Sequence, residues 1–281
     1  MLTVNVAASD YLGGVNEDVV GYSANAAWVI DGATGIGPAL LDAPSDAAWL
    51  AHAIDGHFRR LLDEDPAMPT RALVRQAILF CRTALDAQAL RPAEGPHEHP
   101  SAAFAMLRRF DDHIELSGLA DCRIVYEDDA TATHIFSDRS LDVVEARTLS
   151  LVREIVRSEP DLDAESLFQR LLPQLRENRG LMNREGGYWV LGTEPAAADH
   201  LACKILPYRP GQRFALASDG FLRLVEMFGL AGPSDLLAID SEEGWSHWRD
   251  RLRDAEREPG SCRRYHRVKV HDDASFLNIE I

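Results

Sequence analysis

Four short acidic clusters mark the chain: Glu17-Asp18, Asp31-Gly32, Asp219-Gly220 and Asp272-Asp273. The segments "AAWVIDG" and "FALASDG" share one form. In each, an apolar strand delivers a carboxylate to its end, and a glycine lets other backbone approach closely. Any one such Asp-Gly reads as a plain turn; the set asks for more. Carboxylates gathered in one place repel and raise one another's pKa, so a lasting cluster calls for a cation between them. Oxygen ligands favour Mg²⁺ or Mn²⁺ over zinc, and no His/Cys ligand set points elsewhere. The chemistry that suits them is two-metal hydrolysis. The ions lower the pKa of a bridging water to near neutrality and offset charge on a phosphoryl group under in-line attack.

The rest of the composition narrows the partners. With 281 residues, 46% hydrophobic and 26% charged, the chain is ordinary globular protein. A net charge of −16 repels nucleic-acid backbones and anionic membranes, so neither is expected as a partner. An anionic substrate would need local help from metal ions. The start "MLTVNVAASD" has no basic region followed by an apolar run, and no stretch of about 18 apolar residues occurs anywhere. The expectation is therefore no signal peptide, no spanning helix and a cytoplasmic location. Cys81, Cys122, Cys203 and Cys262 are far apart and read as reduced thiols rather than a zinc or redox motif.

Positioning the carboxylates falls to strands and helices that come in blocks. Strands are expected at Leu2–Ala8, Val19–Tyr22 and Ala26–Ile30, each bounded by Gly, Asn or Asp. Ser45 or Asp46 can cap a helix carrying Leu50, Ile54, Phe58 and Leu61 on one face, and a second helix runs from Thr70 to about Ala89. Strands at Ala102–Phe110, His113–Leu119, Arg123–Glu127 and Thr131–Phe136, with turns at Asp111-Asp112 and Asp128-Asp129, read as one antiparallel meander. Helical pattern returns from Leu141 to Asn178, then strands near Tyr188–Leu191, Leu201–Ile205 and Phe214–Ala217. A charged helix over Ser241–Arg257 precedes closing strands at Val268–Val270 and Ser275–Ile281. No repeat or linker interrupts the chain, so one α+β domain over residues 1–281 is expected.

The ordered series "VNEDVVGY", "AWVIDGATG", "GLADCRIVY", "LGTEP", "RPGQRFALASDGF" and "HDDASFLNIEI" resembles the metal-dependent protein phosphatases of the PP2C family, bacterial type, from Asn16 to the C-terminus. The resemblance implies a four-layer α/β/β/α sandwich, two antiparallel sheets flanked by helix pairs. It implies two Mn²⁺ or Mg²⁺ ions bridged by Asp31, with Asp219 and Asp272 completing one of them. Glu17 and the Gly32 carbonyl would serve the other, and Asp18 would hold metal-bound water from a second layer. Asp121, with Asp219, would sit at a weaker third position. Asp273 stands where the family usually has Asn, so the ligand is Asp272 or Asp273.

Departures from the family pattern fall on the substrate side. Gly13 stands where an Arg commonly holds the phosphate, Ala33 where many members carry His or Met, and Arg223 where an acidic residue is common. A substitute grip could come from Arg184 in "MNREGGYWV", in the variable flap, or from an Arg of the basic run "CRRYHRVKV". That run reads more simply as a charged edge strand. "DGATGIG" reads as a turn rather than a nucleotide loop, the histidine pair of "HEH" in the 96–100 loop reads as solvated, and Trp245 and Trp248 read as core. The function that results is hydrolysis of phosphorylated protein at serine or threonine, by metal-bound hydroxide and without a phosphoenzyme. The alternatives are a catalytically weak regulatory module that binds a phosphorylated partner, and a hydrolase of a small phosphorylated metabolite.

Overall fold

The computed structural model describes residues 1–128, 130–160 and 162–281, so Asp129 of the expected Asp128-Asp129 turn lies outside the described residues. The chain opens with strands β1 (Thr3–Asp10), β2 (Val19–Tyr22) and β3 (Ala26–Gly32), then helices α1 (Asp46–Glu64) and α2 (Thr70–Gln88). Strands β4 (Ala102–Arg109), β5 (His113–Leu119), β6 (Arg123–Glu127) and β7 (Thr133–Phe136) follow, then α3 (Asp142–Ser158) and α4 (Ala164–Arg179). The last part holds β8 (Ala202–Pro207), β9 (Arg213–Ala217), α5 (Asp219–Glu226), α6 (Pro233–Leu237), α7 (Glu242–Arg257), α8 (Ser261–Arg264) and β10 (Ala274–Glu280).

These strands form two five-stranded antiparallel sheets, ordered β2-β3-β4-β5-β8 and β1-β10-β9-β6-β7. Strand alternation decides which side chains fill which layer. In β3, Ala27 and Val29 enter the core between the sheets with Tyr126, Leu216 and Leu277, while Trp28 and Ile30 face α1 and α2. In the other sheet, Ala215, Ala217 and Phe276 turn outward to meet Phe221 of α5 and Trp245 and Leu252 of α7. The result is the expected α+β architecture with helices on the outer face of each sheet.

Local chemistry sets the first helix. Ser45 Oγ accepts from the Ala47 and Ala48 amides at 3.2 and 3.3 Å, satisfying two of the helix's free donors. Leu50, Ile54, Phe58 and Leu61 then bury along one stripe, each contributing about 1.5–3 kcal/mol of apolar burial. Phe58 meets Trp28 edge-on at 5.7 Å. Trp245 packs with Phe221 and Phe276, and Trp248 lies against the same cluster, as the core reading required.

Three expectations need correction. The meander splits: β4 and β5 pair in one sheet, β6 and β7 in the other. The chain crosses between them at Ala120, which adopts a left-handed φ of 61°. Tyr188–Leu191 makes only isolated bridges, Tyr188 with Met182 and Leu191 with Ala102. β4 is paired on both sides from Phe104 onward, so only its first residues are left to meet another segment. Val268–Val270 is not a strand, because β10 already lies between β1 and β9 and offers no edge. No helix among the described residues is long and apolar enough to cross a membrane. The four cysteines are free thiols, two of them buried.

Candidate active site

The acidic clusters meet where strands end. Asp31 is the next-to-last residue of β3, and the Gly32 amide donates to the Glu17 carbonyl at 3.2 Å, drawing the segment before β2 alongside. A Cβ on Gly32 would strike that same carbonyl, which explains the glycine. Glu17 is held by both oxygens, one accepting from the Thr34 hydroxyl and the other from Ser45. Asp219 opens α5 directly after β9 and Ser218. The Ser218 amide donates to the Ser275 carbonyl at 3.1 Å, and the Ser275 amide to Ser218 Oγ at 2.9 Å, which fixes Asp219 beside the turn carrying Asp272 and Asp273. A Cβ on Gly220 would collide with the Asp273 carbonyl, so this glycine also serves a close approach. Asp273 Oδ2 accepts from the Glu17 amide at 2.7 Å. It is thus a brace for the Glu17 segment, while Asp272 faces the cavity.

Asp121 lies at the crossing between the sheets. With Asp31, Asp219 and Asp272 it lines a cavity of about 530 Å³. Helices α3 and α4 supply Val144, Leu149, Phe168 and Leu175 to its wall. Burial, and then repulsion from Asp18, Asp219, Asp121 and Asp272, hold the Asp31 carboxyl well above the usual range. Asp121 is raised chiefly by burial and by Asp219. Asp219 is raised by burial and Asp272, with Arg223 opposing. Asp18 is pushed up to about 8, mainly by burial, and its Oδ2 is buried without a hydrogen-bond partner. Glu145, from the first turn of α3, is pushed up to about 7 by burial and by Asp219.

These are hard oxygen donors with an orphaned buried oxygen among them, so the chemistry of the set around Asp31 fits a divalent cation. The side chains as placed do not close around one: among the described residues, no three His, Cys, Asp or Glu are grouped to hold a metal ion. Asp272 is engaged otherwise. Its Oδ2 lies 2.7 Å from Arg223 Nη2 and its Oδ1 3.0 Å from Lys269 Nζ.

Sequence reasoning missed three residues here: Arg179, Glu145 and Lys269. Arg184 sits exposed on the turn after α4, away from the cavity lining. Arg179, the last residue of α4, does line the cavity, and its Nη2 donates to the carbonyls of Ala33 and Thr34 at 3.1 and 2.8 Å. Two other cavity cations also have protein partners. Arg123 pairs through Nε with Glu226 at 3.4 Å while its buried Nη1 has no partner among the described residues, and Arg267 spends Nε, Nη1 and Nη2 on protein oxygens. Lys269 stands three residues before Asp272, a spacing that could have drawn attention to it. Nothing local distinguishes Glu145 or Arg179 from ordinary helix-end charges that complement the dipole.

A two-sheet sandwich of this order, with buried carboxylates delivered from strand ends to one cavity, defines a recognisable class of protein. The protein phosphatase 2C family model matches residues 10–259. The chain belongs to this family and is an enzyme of its type, a PP2C-like protein phosphatase. Among solved structures, the serine/threonine phosphatase PstP/Ppp of Mycobacterium tuberculosis is similar at 16% identity, covering 100% of this chain and 98% of that one with a TM-score of 0.61. The catalytic domain of the phosphatase PstP in complex with 2 manganese ions is similar at 14% identity, covering 99% and 97% with a TM-score of 0.58. Stp1 of Staphylococcus aureus is similar at 12% identity, covering 100% and 94% with a TM-score of 0.59. These likenesses show the fold. A comparison with curated proteins gave no match.

Proposed function

We propose that this protein removes phosphate from phosphoserine or phosphothreonine in protein substrates, using a divalent metal ion held by carboxylates at the strand ends. The observation that carries this reading is the placement of Asp31, Asp121 and Asp219, from three distant segments, on one cavity wall. Asp31 and Asp219 would hold the ion, with Glu17 and the Gly32 carbonyl on the β3 side. Asp121 and Glu145 would add negative charge beside that ion, and Asp18 would accept hydrogen bonds from water at the site. A divalent ion bound there supplies acidification of water and compensates charge on the phosphoryl group. The manganese found in the PstP relative supports the choice of ion.

The protein's own groups then divide the work. Arg179 fixes the loop at Ala33 and Thr34, just beyond Asp31, and presents a cation to the cavity. We assign the phosphate grip to Arg179 rather than Arg184, because Arg179 lines the cavity, where a guanidinium can bind phosphate oxygens, and Arg184 is exposed away from it. Thr34 and Ser45 hold Glu17, and Arg123 stands by Asp121. The apolar wall from α3 and α4 sheds water from the substrate's flank. The core shared by both sheets supports reading residues 1–281 as one phosphatase domain. The test is release of phosphate from phosphoserine and phosphothreonine peptides with Mn²⁺, against a chelator control. Turnover of aryl phosphate and peptides only with Mn²⁺ is expected. Turnover unaffected by chelator contradicts the proposal.

A further inference from the structure

Both carboxylate oxygens of Asp272 already have cations. Arg223 Nη2 takes Oδ2 at 2.7 Å and Lys269 Nζ takes Oδ1 at 3.0 Å. Arg223 is firmly held, while Lys269 keeps 38% of its side chain exposed. Arg223 is buried and anchored from behind by Glu256, Nη1 to Oε1 at 2.7 Å. Glu256 is also buried, and its other oxygen is taken by Arg253 at 2.7 Å and by His271 at 3.0 Å. Arg253 continues the chain to Asp10 at 2.7 Å and donates to the Asp272 carbonyl at 2.9 Å. On the opposite side, Lys269 Nζ also donates to Thr34 Oγ1 at 2.9 Å, and the Thr34 hydroxyl donates to Glu17.

The ammonium therefore stands between the Asp272 arm and the Glu17 arm of the carboxylate cluster. A second divalent ion drawing on Asp272 would have to expel the ammonium from Oδ1, while Oδ2 stays with a guanidinium that is itself locked to a buried carboxylate. We propose that Lys269, braced through Asp272 and Arg223, is a built-in replacement for the second metal ion, so that Asp272 is not a metal ligand and the site takes one divalent ion on the Asp31–Asp219 side. This rests on the metal-dependent reading given above. The ammonium lines the cavity, where it would compensate negative charge on the phosphoryl group as a second ion would, while staying tethered to the chain.

The experiment is titration with Mn²⁺ alone, by calorimetry for stoichiometry and by electron paramagnetic resonance for ion–ion coupling. Wild type, Lys269→Met and Lys269→Gln are compared, with circular dichroism to establish folding. Lys269→Gln keeps a donor toward Thr34 and removes the charge, so it stands in if Lys269→Met does not fold. Wild type is expected to bind one equivalent and show the six-line signal of an isolated ion. The neutral variant is expected to bind a second equivalent and show a spin-coupled pair. Two equivalents with a coupled pair in wild type overturn the inference, and so does a folded neutral variant that still binds one. No binding by wild type overturns the metal-dependent reading itself, and Lys269 as metal substitute falls with it.

Discussion

Arg223 and Asp272 form an ion pair with 2.7 Å between Nη2 and Oδ2, the guanidinium buried and the carboxylate half-buried, joining the first helix after β9 to the turn before β10. The guanidinium stands between two carboxylates, Asp272 and the fully buried Glu256. Removing it leaves Glu256 to Arg253 and His271 alone. Arg223→Leu is therefore expected to lower stability by about 3 kcal/mol or more, as when one partner of a buried pair is deleted. Urea unfolding of the metal-free protein measures this, and a loss below about 1 kcal/mol would mean that the pair does not brace the site.

A second expectation concerns pH. Asp18 is raised from 3.8 to about 8 and Glu145 from 4.5 to about 7, burial being the main cause of each. The folded state thus keeps protons that the unfolded chain has released, and unfolding free energy must fall as pH rises through that window. Stability is complete below about pH 4 for these groups and is lost as pH passes the raised values of about 7 and 8. Melting in chelator should show Tm dropping from about pH 5 to about pH 8, and excess Mn²⁺ should flatten the slope by replacing the protons with an ion. A chelated protein whose Tm rises across this range would show that the cluster is not protonated.

Ala120 offers a test of local strain. Its φ of 61° places a Cβ in the left-handed region, at a cost of roughly 1–2 kcal/mol. Glycine removes that cost, adds roughly 0.5–1 kcal/mol of unfolded-state entropy and gives up about 0.8 kcal/mol from a methyl buried in the core between the sheets. The terms nearly cancel, so Ala120→Gly should stay within about 1 kcal/mol of wild type in urea unfolding. A loss of about 2 kcal/mol or more, the cost at an unstrained buried alanine, would show that the crossing into Asp121 is not under strain.

How far this was readable in the chain depends on whether the determining contacts are local. Ser45, the α1 stripe and the alternation of β3 were legible because caps and periodicity act within a few residues. The Asp31 and Asp219 positions were legible because a strand ending in Asp-Gly repeats. The split between β5 and β6 was not, since it turns on one left-handed alanine where a hairpin looked equally good. The Val268–Val270 segment has strand-like residues, but sheet edges are allotted by the whole topology. Arg179 and Lys269 reach the site through pairings with Ala33, Thr34 and Asp272, two of them far away in sequence. Local pattern therefore favoured Arg184 as the grip.

Arg179, at the end of α4, and Arg184, in the turn after it, separate cleanly by experiment. Arg179→Ala should raise KM for an aryl phosphate roughly 10- to 100-fold, the equivalent of about 1.5–3 kcal/mol for a charged hydrogen bond. Arg184→Ala should leave KM unchanged, because its side chain is exposed and off the cavity wall. The reverse pattern would return the grip to Arg184. Gly13→Arg is a useful third variant. A Cβ there meets nothing within 4 Å and φ lies outside the left-handed range, so the variant should fold. It should lower KM if the segment before Glu17 can reach the phosphate.

The most direct measurement is phosphate release from a phosphothreonine peptide by wild type and Asp31→Asn across a Mn²⁺ titration, with acid-quenched samples examined for phosphoprotein. The account predicts turnover that appears with Mn²⁺ and falls about a hundredfold or more in Asp31→Asn, as loss of several kcal/mol of charge stabilisation requires. Mn²⁺ affinity should weaken in the same variant, its metal-free Tm should equal or exceed that of wild type because repulsion is relieved, and no phosphoprotein should be trapped. Wild-type protein that releases no phosphate at any Mn²⁺ concentration, or an Asp31→Asn variant as active as wild type, would contradict it.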